Sequence, residues 1–219
     1  MVVNPYIFKV LLCLIAFSFL LNCQVFCQTE IGIRGGLNSS QLVYFFDNNT
    51  VEDQKGVNRI EAGIFLEQRL KPKFNYILEF NYFETGNVFN ATIPVRLQAS
   101  SLESNSLLKY QLLQRKLKPS FLLGFGFNKY LEASDSRGFD YDFDDENING
   151  YGFGFILGGQ LEYKLNAMHL FFDARFKKSV TNFIEADTED FGITVKKRAV
   201  VYSVGLKYSL QKEPRHLPN

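Results

Sequence analysis

Tyr151-Gly-Phe-Gly-Phe-Ile-Leu-Gly-Gly-Gln-Leu-Glu-Tyr163 decides the fold. One alternate set of its residues is Phe153, Phe155, Leu157, Leu161 and Tyr163. The other is Gly152, Gly154, Gly158, Gln160 and Glu162. A period of two marks a strand with two unlike faces, one large and apolar, the other small or polar. After Lys164 to Met168 the pattern resumes, with Leu170, Phe172, Ala174 and Phe176 on one side. Phe171, Asp173, Arg175 and Lys177 fall on the other. Tyr151 to Lys178 therefore reads as strand, tight turn, strand.

The same unit recurs along the chain. Glu30–Gln41 places Ile31, Ile33 and Leu37 opposite Gly32, Arg34, Gly36 and Asn38. Arg59–Leu70 places Ile60, Ala62, Ile64 and Leu66 opposite Glu61, Gly63, Phe65, Glu67 and Arg69. Asn75–Thr85 sets Tyr76, Leu78, Phe80 and Tyr82 against Asn75, Ile77, Glu79 and Asn81. Ser101–Leu112 is the weakest, because Ser104 and Ser106 interrupt its apolar face; Glu103, Asn105, Lys109 and Gln111 form the other. In the fifth strand Phe121, Leu123, Phe125 and Phe127 oppose Leu122, Gly124, Gly126 and Asn128. The last strand sets Val200, Tyr202, Val204, Leu206, Tyr208 and Leu210 against Val201, Ser203, Gly205, Lys207 and Ser209.

The connections alternate long and short. Leu42–Asn58, Gly86–Ser100, Glu132–Gly150 and Ser179–Lys197 are expected to be long loops at one end. Lys71-Pro72-Lys73, Gln114–Lys118 and the turn after Lys164 are short and lie at the other. Pro72 suits a turn because it fixes φ and donates no ladder bond. An even strand number with this asymmetry is the signature of a transmembrane barrel, and a tilted crossing needs roughly 9–11 residues. The expected fold is all-β, an eight-stranded antiparallel up-and-down transmembrane β-barrel spanning residues 28–210.

Alternation alone leaves open which face is outside. A soluble lipocalin-like barrel would turn its apolar residues inward around a lipid. Two features favour the membrane. Glycines at 32, 36, 63, 124, 126, 152, 154, 158 and 205 crowd the polar face, and the interior of a small barrel needs small residues. Charges on that face also balance: Arg34, Arg69, Lys109, Arg175, Lys177 and Lys207 stand against Glu61, Glu67, Glu79, Glu103, Glu162 and Asp173. Buried charge is tolerable when paired, so these twelve residues are expected to form a lumen charge network.

Residues 1–27 read as a cleavable secretory signal preceding the barrel. Lys9 is their only charge and Val10–Leu21 is almost wholly apolar, shorter than the roughly 20 residues of a membrane helix. Cleavage after Cys27 leaves Gln28 first; an uncleaved anchor and an acylated Cys23 or Cys27 are the alternatives. All three cysteines lie in this segment, so the mature chain has neither disulfides nor thiol chemistry. Without Lys9 the chain carries 23 basic and 23 acidic residues, which excludes the net basic surface of a nucleic-acid binder. Residues 211–219 form a polar tail with two prolines.

Little points to catalysis or a cofactor. The mature chain has two histidines, His169 beside a short turn and His216 in the tail, neither next to a long loop. No Gly-rich phosphate loop or Cys/His cluster occurs. The acidic loop contains Asp140, Asp142 and Asp144 at alternate positions, a weak calcium candidate that lacks the glycine and closing glutamate of a calcium loop.

In order along the chain stand Ile31-Gly-Ile-Arg-Gly-Gly-Leu-Asn38, Gly63-Ile-Phe-Leu-Glu67 and Leu78-Glu-Phe-Asn-Tyr82 closing at Gly86. Leu102-Glu103, Leu107-Leu-Lys-Tyr110, Lys118-Pro-Ser-Phe-Leu-Leu-Gly124, Gly152-Phe-Gly-Phe with Gly158-Gly-Gln-Leu-Glu162, and Asp173-Ala-Arg175 follow. Together these resemble the PorT-like outer-membrane β-barrel domain family across nearly all of the mature chain. In that family a proline follows the Leu-Glu pair of the fourth strand by two residues; Asn105 stands there in this chain. The resemblance implies a porin-like protein of the Gram-negative outer membrane, with outer-membrane lipid around it, partners at the long loops and an association with secretion. The expected role is that of a non-enzymatic structural or interaction barrel. A narrow-pore transporter is the alternative, disfavoured because eight strands enclose little more than their own side chains.

Overall fold

The computed structural model describes residues 29–46, 49–50, 54–89, 95–138, 150–181, 184–188 and 191–210. The expected signal segment, Asp140, Asp142 and Asp144 of the calcium candidate, and the tail with His216 lie outside the described residues.

Ten strands form one antiparallel sheet: β1 (Thr29–Phe46), β2 (Asn49–Thr50), β3 (Gln54–Lys71), β4 (Phe74–Phe89), β5 (Val95–Gln111), β6 (Leu117–Asp135), β7 (Tyr151–Leu165), β8 (Met168–Ser179), β9 (Ile184–Thr188) and β10 (Phe191–Ser209). Eight of them make the closed circuit β1-β3-β4-β5-β6-β7-β8-β10, with β10 pairing back on β1 from Glu30↔Ser209 to Phe46↔Ile193. β2 and β9 are short additions on the ends of β1 and β10. Closure leaves no unpaired edge, the condition for a sheet to cross hydrocarbon.

The strands run further than the alternation predicts. β1 continues to Phe46 and β3 begins at Gln54, so most of the expected loop Leu42–Asn58 is paired strand. The expected loops Gly86–Ser100 and Ser179–Lys197 shrink in the same way. β6 runs on through Asp135, four residues into the expected acidic loop. Eighteen residues at about 3.3 Å each, tilted about 40°, rise well beyond an apolar band about 25 Å tall. Above that band both faces meet water, the contrast between them fades, and a paired strand no longer looks two-faced.

At the other end the turns are tight. Leu165 pairs with Met168 across Asn166-Ala167, and Asn166 takes φ 56°, a left-handed conformation asparagine accepts readily. Lys71 pairs with Phe74 across Pro72-Lys73.

The apolar set faces outward. Phe153, Phe155, Phe172 and Phe176, with Ile33, Ile64, Phe121, Leu157 and Val204, are all exposed on the outer wall. This decides against the lipocalin-like alternative, whose apolar residues would line a cavity. Ser106, an interruption in the apolar face of β5, shares a 2.9 Å hydrogen bond with the Tyr76 hydroxyl on the neighbouring strand.

Candidate functional site

The interior is a stack of four layers, which β8 threads in order with His169, Phe171, Asp173 and Lys177. Nearest the short turns lies a charged layer built from Glu67 of β3, Lys109 of β5, Glu162 of β7 and Lys207 of β10. Lys207 Nζ stands 2.7 Å from Glu67 and 2.8 Å from Glu162, and Lys109 Nζ stands 2.6 Å from Glu162 and 3.0 Å from Glu67. Glu30 of β1 adds a 2.5 Å contact to Lys207. Asn75 donates to Glu67. His169 Nδ1 lies 2.6 Å from Glu162 Oε1, and Lys118 3.4 Å from the same atom.

The second layer is apolar: Phe65, Ile77, Leu107, Leu122, Ile156 and Phe171 close the lumen. Gly32 and Gly205 make room for it. Gly32 pairs with Phe65 and Gly205 with Phe171, and each ring lies over its glycine, where a Cβ would collide with it. The two rings meet edge to face at 5.5 Å.

Arg34, Glu79, Asp173 and Arg175 form the third layer. Glu79 Oε2 accepts from Arg175 at 2.7 Å and from Arg34 at 2.9 Å. Asp173 accepts from Arg175 at 2.9 Å and from the Ser203 hydroxyl at 2.7 Å, while Arg34 donates to that hydroxyl at 2.6 Å. The fourth layer holds Lys177 between Glu61 at 3.0 Å and Glu103 at 2.5 Å, with Lys197 3.7 Å from Glu103. Glu61 also reaches down to Arg34 at 3.2 Å. Lys177 and Lys197 both sit over the Phe83 ring, at 4.5 and 4.3 Å from its centroid.

Each charged layer thus contains two lysines or arginines and two carboxylates, before the half-buried Glu30 and Lys118 are added. In so enclosed a space a single unpaired charge would carry a desolvation cost of several kcal/mol. Eleven of the twelve expected network residues lie in these layers. Arg69 is not among them: it stands half-buried at the rim near the short turns, where it donates to the Pro72 carbonyl at 3.2 Å. Lys197 takes the sixth cationic place inside. It escaped the sequence reading because it fell in a segment taken for loop. His169 was seen only as a turn neighbour, although its place on the charged face of β8, two residues before Phe171, was a usable signal.

One open cavity caps the stack, and another lies mainly against the outer side of the wall. A vestibule of about 500 Å³ at the short-turn end is lined by Arg69, Arg115, Lys116, Lys118 and Lys164 around Asn75, Gln111 and Gln114, with Glu30, Glu67 and Glu162 at its floor. A cleft of about 210 Å³ at the long-loop end is lined by Arg59, Glu84, Gln98 and Glu132, among others.

The fold agrees with what comparisons with known proteins find. OprG, an outer membrane protein from Pseudomonas aeruginosa, superposes with a TM-score of 0.52 at 12% identity, covering 83% of this chain and 97% of its own. Neisserial surface protein A superposes with a TM-score of 0.51 at 11% identity, covering 84% of this chain and 99% of its own. At such identities the likeness is one of fold. A comparison with curated proteins finds no match. The family model described as "outer membrane protein beta-barrel domain" matches residues 26–185. An outward apolar wall, a closed circuit and a paired interior are what that description requires, and the chain belongs to the outer membrane protein β-barrel domain family.

Proposed function

We propose that this protein is a non-enzymatic, PorT-like component of the outer membrane that works through its ends and conducts nothing through its middle. The observation that carries this is the apolar layer of Phe65, Ile77, Leu107, Leu122, Ile156 and Phe171 between charged layers whose members are already paired. A pore needs a continuous wet path. Here each ion would have to displace an aromatic ring and break a buried ion pair. The eleven network residues that lie in the layers, with Lys197 added, act in this reading as internal packing.

In this reading His169 is a structural residue and not a catalytic one. His169, the one histidine among the described residues, is engaged by Glu162 at 2.6 Å and faces Glu30 at 3.6 Å. The long connections are then the surface for partners, including components of secretion, and residues 1–27 are removed during export.

Single-channel recording of the purified protein in planar bilayers tests the reading. Silent membranes are expected; a steady, reproducible conductance step would instead establish the narrow-pore alternative. Sequencing of the mature N-terminus is expected to begin at Gln28.

A further inference from the structure

The sequence segments at the two ends of the barrel differ in charge. The segments linking strands at the long-loop end, residues 47–53, 90–94, 136–150 and 180–190, contain twelve acidic residues and one cation, Arg137. At the short-turn end, residues 69–74, 112–118 and 163–168 contain seven cations and no acid. Five of those seven, Arg69, Arg115, Lys116, Lys118 and Lys164, line the 500 Å³ vestibule. Its floor offsets them only in part: Glu30, Glu67 and Glu162 stand against Lys109 and Lys207, and Glu162 also reaches Lys118 at 3.4 Å. Arg115 and Lys116 are exposed on the β5–β6 turn.

We propose that this vestibule is a binding site for an acidic peptide segment of a periplasmic partner. A concave mouth lined by one sign of charge focuses its field on the axis and attracts the opposite sign. The cations line the mouth of the lumen, an opening along the barrel axis, whereas the surrounding lipid lies to the side. Asn75, Gln111 and Gln114 add amide groups that can meet a peptide backbone as well as its carboxylates. The site stands apart from the conductance question: a silent barrel can bind or fail to bind at this end.

The test uses the full-length protein in nanodiscs of zwitterionic lipid and a fluorescent octaglutamate peptide as probe. Anisotropy is expected to show saturable binding at low salt that weakens about tenfold or more by 0.3 M salt, where screening shortens the reach of exposed charges. R115Q/K116Q/K164Q is expected to lose about tenfold or more in affinity, three modest exposed contacts combined. D140N/D142N/D144N, at the other end, is expected to bind as the parent does. Because Arg115 and Lys116 lie in the β5–β6 turn and Lys164 near the end of β7, retention of the fold is checked by heat-dependent gel mobility, and K71Q/K73Q, at the β3–β4 turn outside the vestibule lining, is expected to bind as the parent does. Absence of binding by the parent, or equal binding by R115Q/K116Q/K164Q, overturns the proposal. So does full suppression of peptide binding in nanodiscs of anionic phospholipid, which would assign these cations to lipid headgroups.

Discussion

At the scale of the residue, Arg175 shows what the interior demands. It is 2% exposed and holds Glu79 and Asp173 together, at 2.7 and 2.9 Å. Removing its guanidinium leaves two carboxylates facing each other with only Arg34 between them. Arg175→Met is therefore expected to destabilise the barrel by about 3–5 kcal/mol, the cost of orphaning a buried charge, read by urea unfolding in lipid vesicles. The double variant R175M/E79M keeps the layer balanced, with Arg34 against Asp173. It is expected to recover part of that loss, and a double-mutant cycle measures how much. Strictly additive losses would mean that the pair is not coupled. The outer face obeys the reverse rule: Leu157→Arg should cost about 2–4 kcal/mol at mid-membrane, where Leu157→Phe costs little.

The individual strand is where sequence and structure diverge. Between Ile31 and Leu37, or Phe153 and Tyr163, one face meets lipid and the other a crowded lumen, so alternation exposes the strand, and the glycines and balanced charges of one face point to its orientation. Past Leu37 the outward residue is Ser39, and past Val200 it is Arg198; the same strands go on, but water bathes their outer side. Lys197 was lost for that reason. Phe65, Ile77, Leu122 and Phe171 were visible on the polar face, yet alternation gave no hint that they gather into a closing layer. That depends on strand tilt and on which glycines lie opposite, which pairing register alone reveals. Gly205 is the sharpest case, since a side chain there would drive into the Phe171 ring and approach the Ile33 carbonyl. Gly205→Val is expected to cost about 1–3 kcal/mol by overpacking. At the β7–β8 turn, Asn166→Gly should be neutral and Asn166→Val destabilising by about 1 kcal/mol or more, because a β-branched residue resists positive φ. Equal stability of the two turn variants would mean that the turn adopts another conformation in the membrane.

For the whole molecule, composition and connection lengths made the eight-stranded circuit legible, while the roles of its two ends rest on geometry. Among the described residues the interior is filled by paired side chains, with a cation-lined vestibule at the short-turn end. All of this depends on the apolar wall facing lipid. The three cysteines lie within the first 27 residues, so a chain that begins at Gln28 offers a background free of thiols for spin labels. The decisive measurement is the collision of molecular oxygen and of a nickel chelate with single labels placed at Phe155, Leu157, Leu161 and Phe172 in lipid vesicles. Labels at Gln98 and Lys129, beyond the apolar band, are the reference. The fold described here predicts that oxygen dominates at the four wall positions and the nickel chelate at the two references. Nickel access at Phe155, Leu157, Leu161 and Phe172 would contradict it, for it would place the apolar face away from lipid.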